Sequence, residues 1–155
     1  MEVAMATMKD IEQLVEMRIA YLKEDKKDMS EEQLMTIIGQ LPTFFKNHLG
    51  NDLLGFIVNS GQEILSTALL LIIHKPANPS FPTGKIGEVL NVYTRPEYRH
   101  QGMARKIMKN LIEYAKEQQL DYVELSATED GYPLYKALGF KDVHSDYHPM
   151  KYYIK

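Results

Sequence analysis

The six residues Arg99-His100-Gln101-Gly102-Met103-Ala104 stand at the head of a long stretch with helical apolar spacing, and their types suit an anion. The first amides of a helix have no partner inside it, so they converge on the space in front of it with the positive end of the dipole behind them. A phosphate fits there. Gly102 lets a bulky ligand approach the backbone with no Cβ in the way, and Ala104 keeps the next turn small. Arg99 and Arg105 can add charge-assisted contacts. The pattern therefore predicts a diphosphate. A plainer reading stands beside it, in which Gly102 only relieves a loop-to-helix junction between solvated arginines, as short Gly-containing patterns often do. The three spaced glycines of a dinucleotide fingerprint are missing, and so is the Gly-Lys-Ser or Gly-Lys-Thr of a P-loop.

Other chemistries are bounded by composition. The chain has no cysteine, which excludes disulfides, thiolate metal sites and a cysteine nucleophile. His48, His74, His100, His144 and His148 are scattered without metal-ligand spacing, so no metal is expected. A formal net charge of -3 gives no electrostatic reason to expect a nucleic-acid partner. Met1-Glu2-Val3-Ala4-Met5 lacks the regions of a secretory signal, and no apolar run approaches the ~20 residues of a membrane span. A cytoplasmic location and no membrane partner are the expectations. At 155 residues, with 45% hydrophobic and 25% charged side chains, the chain reads as one globular domain over 1–155.

The elements that must position the Arg99–Ala104 loop follow from periodicity. Glu2 to Ala6 reads as a short strand, Thr7 and Asp10 have capping-box spacing, and Ile11, Leu14, Val15, Ile19 and Leu22 form one helical face. Ser30 and Gln33 open a second helix through Leu34, Ile37, Ile38 and Leu41, ending near Gly50, which Pro42 should kink or split. Leu53–Asn59, Glu63–His74 and Ile86–Thr94 read as three strands, with Asn59-Ser60-Gly61-Gln62 a hairpin turn. Met103, Ala104, Ile107, Met108, Leu111, Ile112 and Ala115 form one buried helical stripe. Asp121 to Ala127 resembles a strand that would pair in parallel across this helix. Glu129 to Pro133 can start a short helix ended by Gly139, and Phe140 to Lys155 supplies a final strand or hairpin. The sum is an α/β fold in which helices cover a mixed, mostly antiparallel sheet.

With the preceding strand Leu90-Asn91-Val92-Tyr93, the loop resembles the GCN5-related N-acetyltransferase (GNAT) superfamily. Its signature is Arg or Gln, two residues, Gly, one residue, then Gly or Ala, matched by Arg99, Gly102 and Ala104. Leu134-Tyr135-Lys136-Ala137-Leu138-Gly139-Phe140 is similar to the family's Leu-Tyr-x-x-x-Gly-Phe motif. The resemblance is clear over roughly Gly87 to Lys141, and further upstream only the order of elements agrees. It implies a sheet of six or seven strands flanked by about four helices, and acetyl-CoA as cosubstrate. The CoA diphosphate would lie on the amides of His100, Gln101, Gly102, Met103, Ala104 and Arg105. The pantetheine would pair with Asn91, Val92 and Tyr93 where two strands splay apart.

The same resemblance implies direct acetyl transfer to a primary amine, that of a small molecule in the first reading. It makes Tyr135 the general acid for the departing thiolate; the alternative for Tyr135 is core packing. Glu88, which interrupts an apolar strand and by alternation shares a face with Leu90 and Val92, is the leading base, directly or through water. Its alternative is a sheet-edge residue paired with lysine or exposed. Thr128 stands where many relatives have Asn, so a CoA hydrogen bond there is less secure. A protein or peptide amine, and a non-catalytic acyl-CoA sensor, remain competing functions.

Acceptor recognition would fall to Tyr21–Leu49 and Asp142–Tyr153. Lys23 to Asp28 is charge-mixed and reads as a solvated connection, or as acids attracting a cationic amine. Tyr147 and His148 could line the mouth, while Phe44, Phe45, Tyr152 and Tyr153 read as core or as the contact of a homodimer.

Overall fold

A computed structural model of the chain describes residues 1–155. Five strands lie in chain order across one sheet: β1 (Ala4–Met5), β2 (Leu53–Ser60), β3 (Glu63–His74), β4 (Lys85–Thr94) and β5 (Val123–Glu124). All neighbours are antiparallel except β4 and β5, which are parallel. The long apolar runs that make β2 and β3 buried on both faces require helices on both sides.

Two helices cover one face. α1 (Ile11–Asp25) and α2 (Glu31–His48) press Leu14, Met17, Leu41 and Phe45 onto Leu53, Ile57, Leu69 and Tyr93. On the other face α3 (Met103–Glu117) sets Ile107, Met108 and Leu111 against Phe56, Val58, Leu70 and Val89, joined by Tyr135 from α4 (Tyr132–Leu138). Each such fully buried side chain contributes roughly 1.5–3 kcal/mol of transfer free energy. That stripe fixes the rotation of α3, and with it the direction in which its first amides point.

Helix α2 opens on the expected capping box: Gln33 N–H donates to Ser30 Oγ at 3.1 Å and Ser30 N–H to Gln33 Oε1 at 3.0 Å. It runs through Pro42 as one helix, so of the expected kink or split the split does not occur. The buried Leu41 and Phe45 on either side of Pro42 hold the helix to the sheet, so tertiary packing offsets the missing backbone bond.

The sheet has five strands, not six or seven. The segment expected as a strand from Asp121 to Ala127 pairs only at Gly87–Val123 and Glu88–Glu124. Nothing after α4 joins the sheet. Residues 141–155 are exposed, with Met150 and Tyr152 each at 90%. The physical reason is the edge itself: two paired residues of β5 give a sixth strand almost no ladder, and Asp142, His144, Asp146, His148 and Pro149 break the alternation such a strand needs.

One irregularity in β4 decides which side chains face which layer. Thr67 lies opposite Tyr93 and Leu69 opposite Leu90, so Asn91 and Val92 together face Ala68 alone. This is a β-bulge, and Asn91 takes the left-handed conformation at φ +52° that lets it form. Alternation resets there. Leu90 and Tyr93 pack on the α1–α2 side, whereas Val89 and Val92 pack on the α3 side. Glu88 therefore shares a face with Leu90 but not with Val92, a correction to simple alternation.

Candidate active site

The Arg99–Ala104 loop folds as an anion receptor would. His100 has φ +63° and Gly102 φ +80°, and α3 begins at Met103 with no side-chain cap. The first intrahelical bond is from Lys106 N–H to Gly102 O at 3.1 Å, which leaves the amides of Met103, Ala104 and Arg105 without helical acceptors. A Cβ added at Gly102 would meet nothing within 4 Å, so the glycine serves the backbone conformation and the open approach, not a crowded packing. Gln101, Gly102, Met103, Arg105, Lys106 and Lys109 line a concave surface there. His100 and Gln101 are exposed, Ala104 is half-buried, and Met103, which also lines the concavity, is buried in the core on the α3 side of the sheet. The Lys106 ammonium donates to Met1 O.

Beside this loop β4 is bare. After Glu88 pairs with Glu124, β5 ends, and residues 89–94 keep β3 on one side with no strand on the other. Asn91 is 5% exposed, and its Oδ1 is buried without a hydrogen-bond partner. An orphaned acceptor of this kind is costly unless a ligand donor answers it. The open edge, the orphaned carbonyl and the free amides with three nearby cations together fit a chain-like ligand with amide groups and a diphosphate.

Tyr135 packs in one apolar cluster with Val89 and Val92 of that bare strand segment. Gly131 permits its placement, since a Cβ there would come within 2.9 Å of the Tyr135 Cε2 and 3.3 Å of Thr128 Oγ1. The ring meets Phe140 edge-on at 5.8 Å. Burial, with a smaller contribution from the Tyr21 phenol, pushes the Tyr135 hydroxyl up to about 12. The phenol is thus fully protonated at neutral pH and holds a proton to donate.

Other residues named from sequence have different partners. The Arg99 guanidinium does not turn to the α3 amides: it forms a two-pronged pair with Glu24 of α1 at 2.9 Å on each arm. Its Nε donates to Thr94 O at 2.8 Å. The bond with Glu24 holds Arg99 above, and Glu24 below, their ordinary ranges. Thr128 Oγ1 accepts from Gly131 N–H at 3.1 Å, bracing the turn into α4 and leaving its hydroxyl proton and one lone pair for a ligand. Glu88 is half-buried, makes no ion pair or hydrogen bond, and has Leu71 and Glu124 as cross-strand neighbours. Tyr93 faces α1, its ring edge-on to Tyr21 at 6.5 Å and beneath the Arg99 guanidinium at 5.3 Å. Phe45 is core, Phe44 stacks on His48 at 4.3 Å, and Tyr147, Tyr152 and Tyr153 are exposed.

The sequence model of the Acetyltransferase (GNAT) family matches residues 13–140. This chain belongs to that family. An acetyl-CoA-bound predicted acetyltransferase from Clostridium acetobutylicum shares 30% identity with this GNAT protein over 97% of its chain and 95% of the other, with a TM-score of 0.84. A GCN5-related N-acetyltransferase from Ralstonia eutropha JMP134 shares 26% identity over 96% and 97%, with a TM-score of 0.77. A ribosomal-protein-alanine N-acetyltransferase from Brucella melitensis biovar Abortus 2308, at 15% identity over 97% and 100% and a TM-score of 0.66, shares the fold. No curated protein sequence matches the chain. The GNAT fold, with its mixed sheet and four helices, is that of acetyltransferases that draw on acetyl-CoA. No helix is long and apolar enough to cross a membrane, and no group of three His, Asp or Glu side chains could hold a metal ion.

Sequence reasoning passed over Arg18 and had Tyr21 only as the first residue of an acceptor segment. Both lie on the inward stripe of α1 with Leu14 and Met17, at i+4 and i+7 from Leu14. Two polar side chains inside an apolar stripe were the available signal.

Proposed function

We propose that this GNAT protein transfers the acetyl group of acetyl-CoA directly to the primary amine of a small molecule. The observation that carries the reading is the bare edge of β4 beyond Glu88–Glu124, ending at the uncapped α3 N-terminus and beside the protonated Tyr135. The diphosphate lies on the amides from Gln101 to Arg105, with Arg105, Lys106 and Lys109 as counter-charges. The pantetheine runs as an added strand along Asn91, Val92 and Tyr93. Arg99 takes no part in holding phosphate and acts as a strut between this strand end and α1.

Attack begins when the amine, as its neutral form, places its lone pair on the thioester carbonyl carbon. The oxygen becomes an oxyanion, and a backbone N–H of the bulged β4 donates to it. Collapse breaks the C–S bond, the electron pair leaves on sulfur, and the nitrogen loses a proton. Tyr135 donates to the departing sulfur; the burial that raises the phenol raises a thiolate in the same site as well, which keeps the two acids comparable. Glu88, on the α1 side of β4, takes the amine proton directly or through water. The convergence of Tyr21, Tyr93 and Tyr135 suits a compact acceptor.

Acetyl-CoA with a library of amines, read by free thiol and product mass together, tests the reading. Acetylated small amines are the expected product, with Glu88→Gln lowering kcat about 100-fold at neutral pH. Acetylated peptides alone would move the acceptor to proteins, and tight acetyl-CoA binding without any product would leave a sensor.

A further inference from the structure

Arg18 is the one arginine whose charge is neither answered nor fully solvated. Arg95 donates to Ile64 O at 2.6 Å and reaches Glu16 at 3.9 Å, Arg99 is held by Glu24, and Arg105 is exposed at the start of α3. Arg18 is half-buried on the inward stripe of α1, makes no hydrogen bond, and has no carboxylate within ion-pair distance. Burial lowers its pKa, with the Tyr21 phenol alone opposing that. A guanidinium withdrawn from water without a partner is a standing cost that an anion would remove.

Its neighbours say where that anion would lie. Leu14 and Met17 are 1% and 0% exposed, so this stripe of α1 faces the sheet. Tyr21, one turn beyond Arg18, sets its ring on Tyr93 at the bare end of β4. Arg18 and Tyr21 stand three positions apart on α1 and so share a face, which reaches the bare strand end through the Tyr21–Tyr93 contact. Of the acids on this side of the sheet, Glu24 is already spent on Arg99, and Glu88 is the group proposed to take the amine proton, at the other end of the acceptor. Asp25 acts on Tyr21 from the end of α1 but forms no pair with Arg18.

We propose that Arg18 is a specificity residue that binds a carboxylate of the acceptor, so that the substrates are amino acids or other amino carboxylates. The proposal rests on the acetyl-transfer reading for its context. The planar fork of Arg18 takes both carboxylate oxygens, and the amine at the other end of the acceptor points toward the thioester at β4.

Matched pairs decide it: the common amino acids and a series of ω-amino carboxylates, each against its carboxamide, assayed for binding to the CoA-loaded full chain and for turnover with acetyl-CoA. At least one carboxylate is expected to bind and react about 10- to 100-fold better than its carboxamide. Arg18→Gln should collapse that ratio to within about threefold, and Arg18→Lys should recover part of it. Acetyl-CoA affinity and thermal midpoint should hold in both variants. The proposal is overturned if no carboxylate in the series binds, if no pair shows a preference, if the preference survives in Arg18→Gln, or if acetyl-CoA affinity falls in parallel. Carboxylate-dependent binding without acetylated product would leave Arg18 standing and remove the transferase reading. Transfer without a carboxylate preference would do the reverse.

Discussion

The two sides of β4 are built from different materials. Toward α3 the site is made of backbone: the uncapped amides after Gly102, the bare strand edge from residue 89, and a bulge held by the left-handed Asn91. Toward α1 the proposed site is made of side chains: Arg18, Tyr21, Glu24, Tyr93 and Glu88. Backbone sites need few residue types, and those types recur as a short signature. Side-chain sites can use any polar residue on an amphipathic helix, where nothing marks it apart from its neighbours. The contrast predicts that α3-side changes alter acetyl-CoA binding whatever the acceptor, and that α1-side changes alter stability or acceptor choice and leave acetyl-CoA alone.

The largest expected effect joins the two sides. Tyr135→Phe removes only the hydroxyl and keeps the packing on Phe140, so acetyl-CoA affinity should hold while kcat falls by about 100-fold or more. Its phenol can be titrated by tyrosinate absorbance, as wild type minus Tyr135→Phe, with a midpoint of about 12. Because that value lies above the ordinary value of about 10 in an unfolded chain, the contribution to stability is complete below pH ~10 and is lost as pH rises toward the folded value. A midpoint near 10 would mean an exposed phenol, and an unchanged kcat would remove Tyr135 from the chemistry.

Next comes Gly102→Val, which puts a β-branched side chain at φ +80°. The strain is on the order of 1–3 kcal/mol, and relieving it must rotate the amides that the diphosphate needs. Acetyl-CoA affinity should drop about 10- to 100-fold, with the same factor for every acceptor tested. A loss that varies with the acceptor would break the division between the two sides.

That division also explains how much could be read from sequence. The helix stripe Met103–Ala115, the strands β2 to β4, the α2 cap and the Gly102 junction follow from local periodicity and turn chemistry, and the structure contains all of them. The bulge at Asn91 was hidden because Asn merely tolerates positive φ and does not require it; the bulge exists only through pairing with β3. The brevity of β5 was hidden for the same reason, as Asp121 to Ala127 has strand-like residues and only the divergence of its path from β4 ends the pairing. Thr128 and Arg99 were assigned to the ligand by motif position, which is blind to their partners: Gly131 N–H and Glu24 are set by the loop into α4 and by the packing of α1.

Arg99 gives the smallest effect and the sharpest separation. If its guanidinium held phosphate, Arg99→Gln would weaken acetyl-CoA binding by tenfold or more, as loss of a charge-assisted contact does, about 1.5–3 kcal/mol. In this structure both arms are on Glu24 and Nε is on Thr94 O, so the expected loss is one of stability. With Arg99 a third exposed and Glu24 half exposed, solvent screens the pair, and about 1 kcal/mol is a reasonable size. For a chain of this length that is a fall of about 2–4 °C in Tm. Glu24→Gln should cost somewhat less, because Arg99 keeps its bond to Thr94 O and its place over Tyr93, and the double variant should cost little more than Arg99→Gln, because the ion pair is already lost there. Acetyl-CoA affinity should stay within about twofold, less than 0.5 kcal/mol. A tenfold loss in Arg99→Gln with none in Glu24→Gln would put the guanidinium back on the diphosphate, and the boundary between the two sides of β4 would have to move to α3's own first residues.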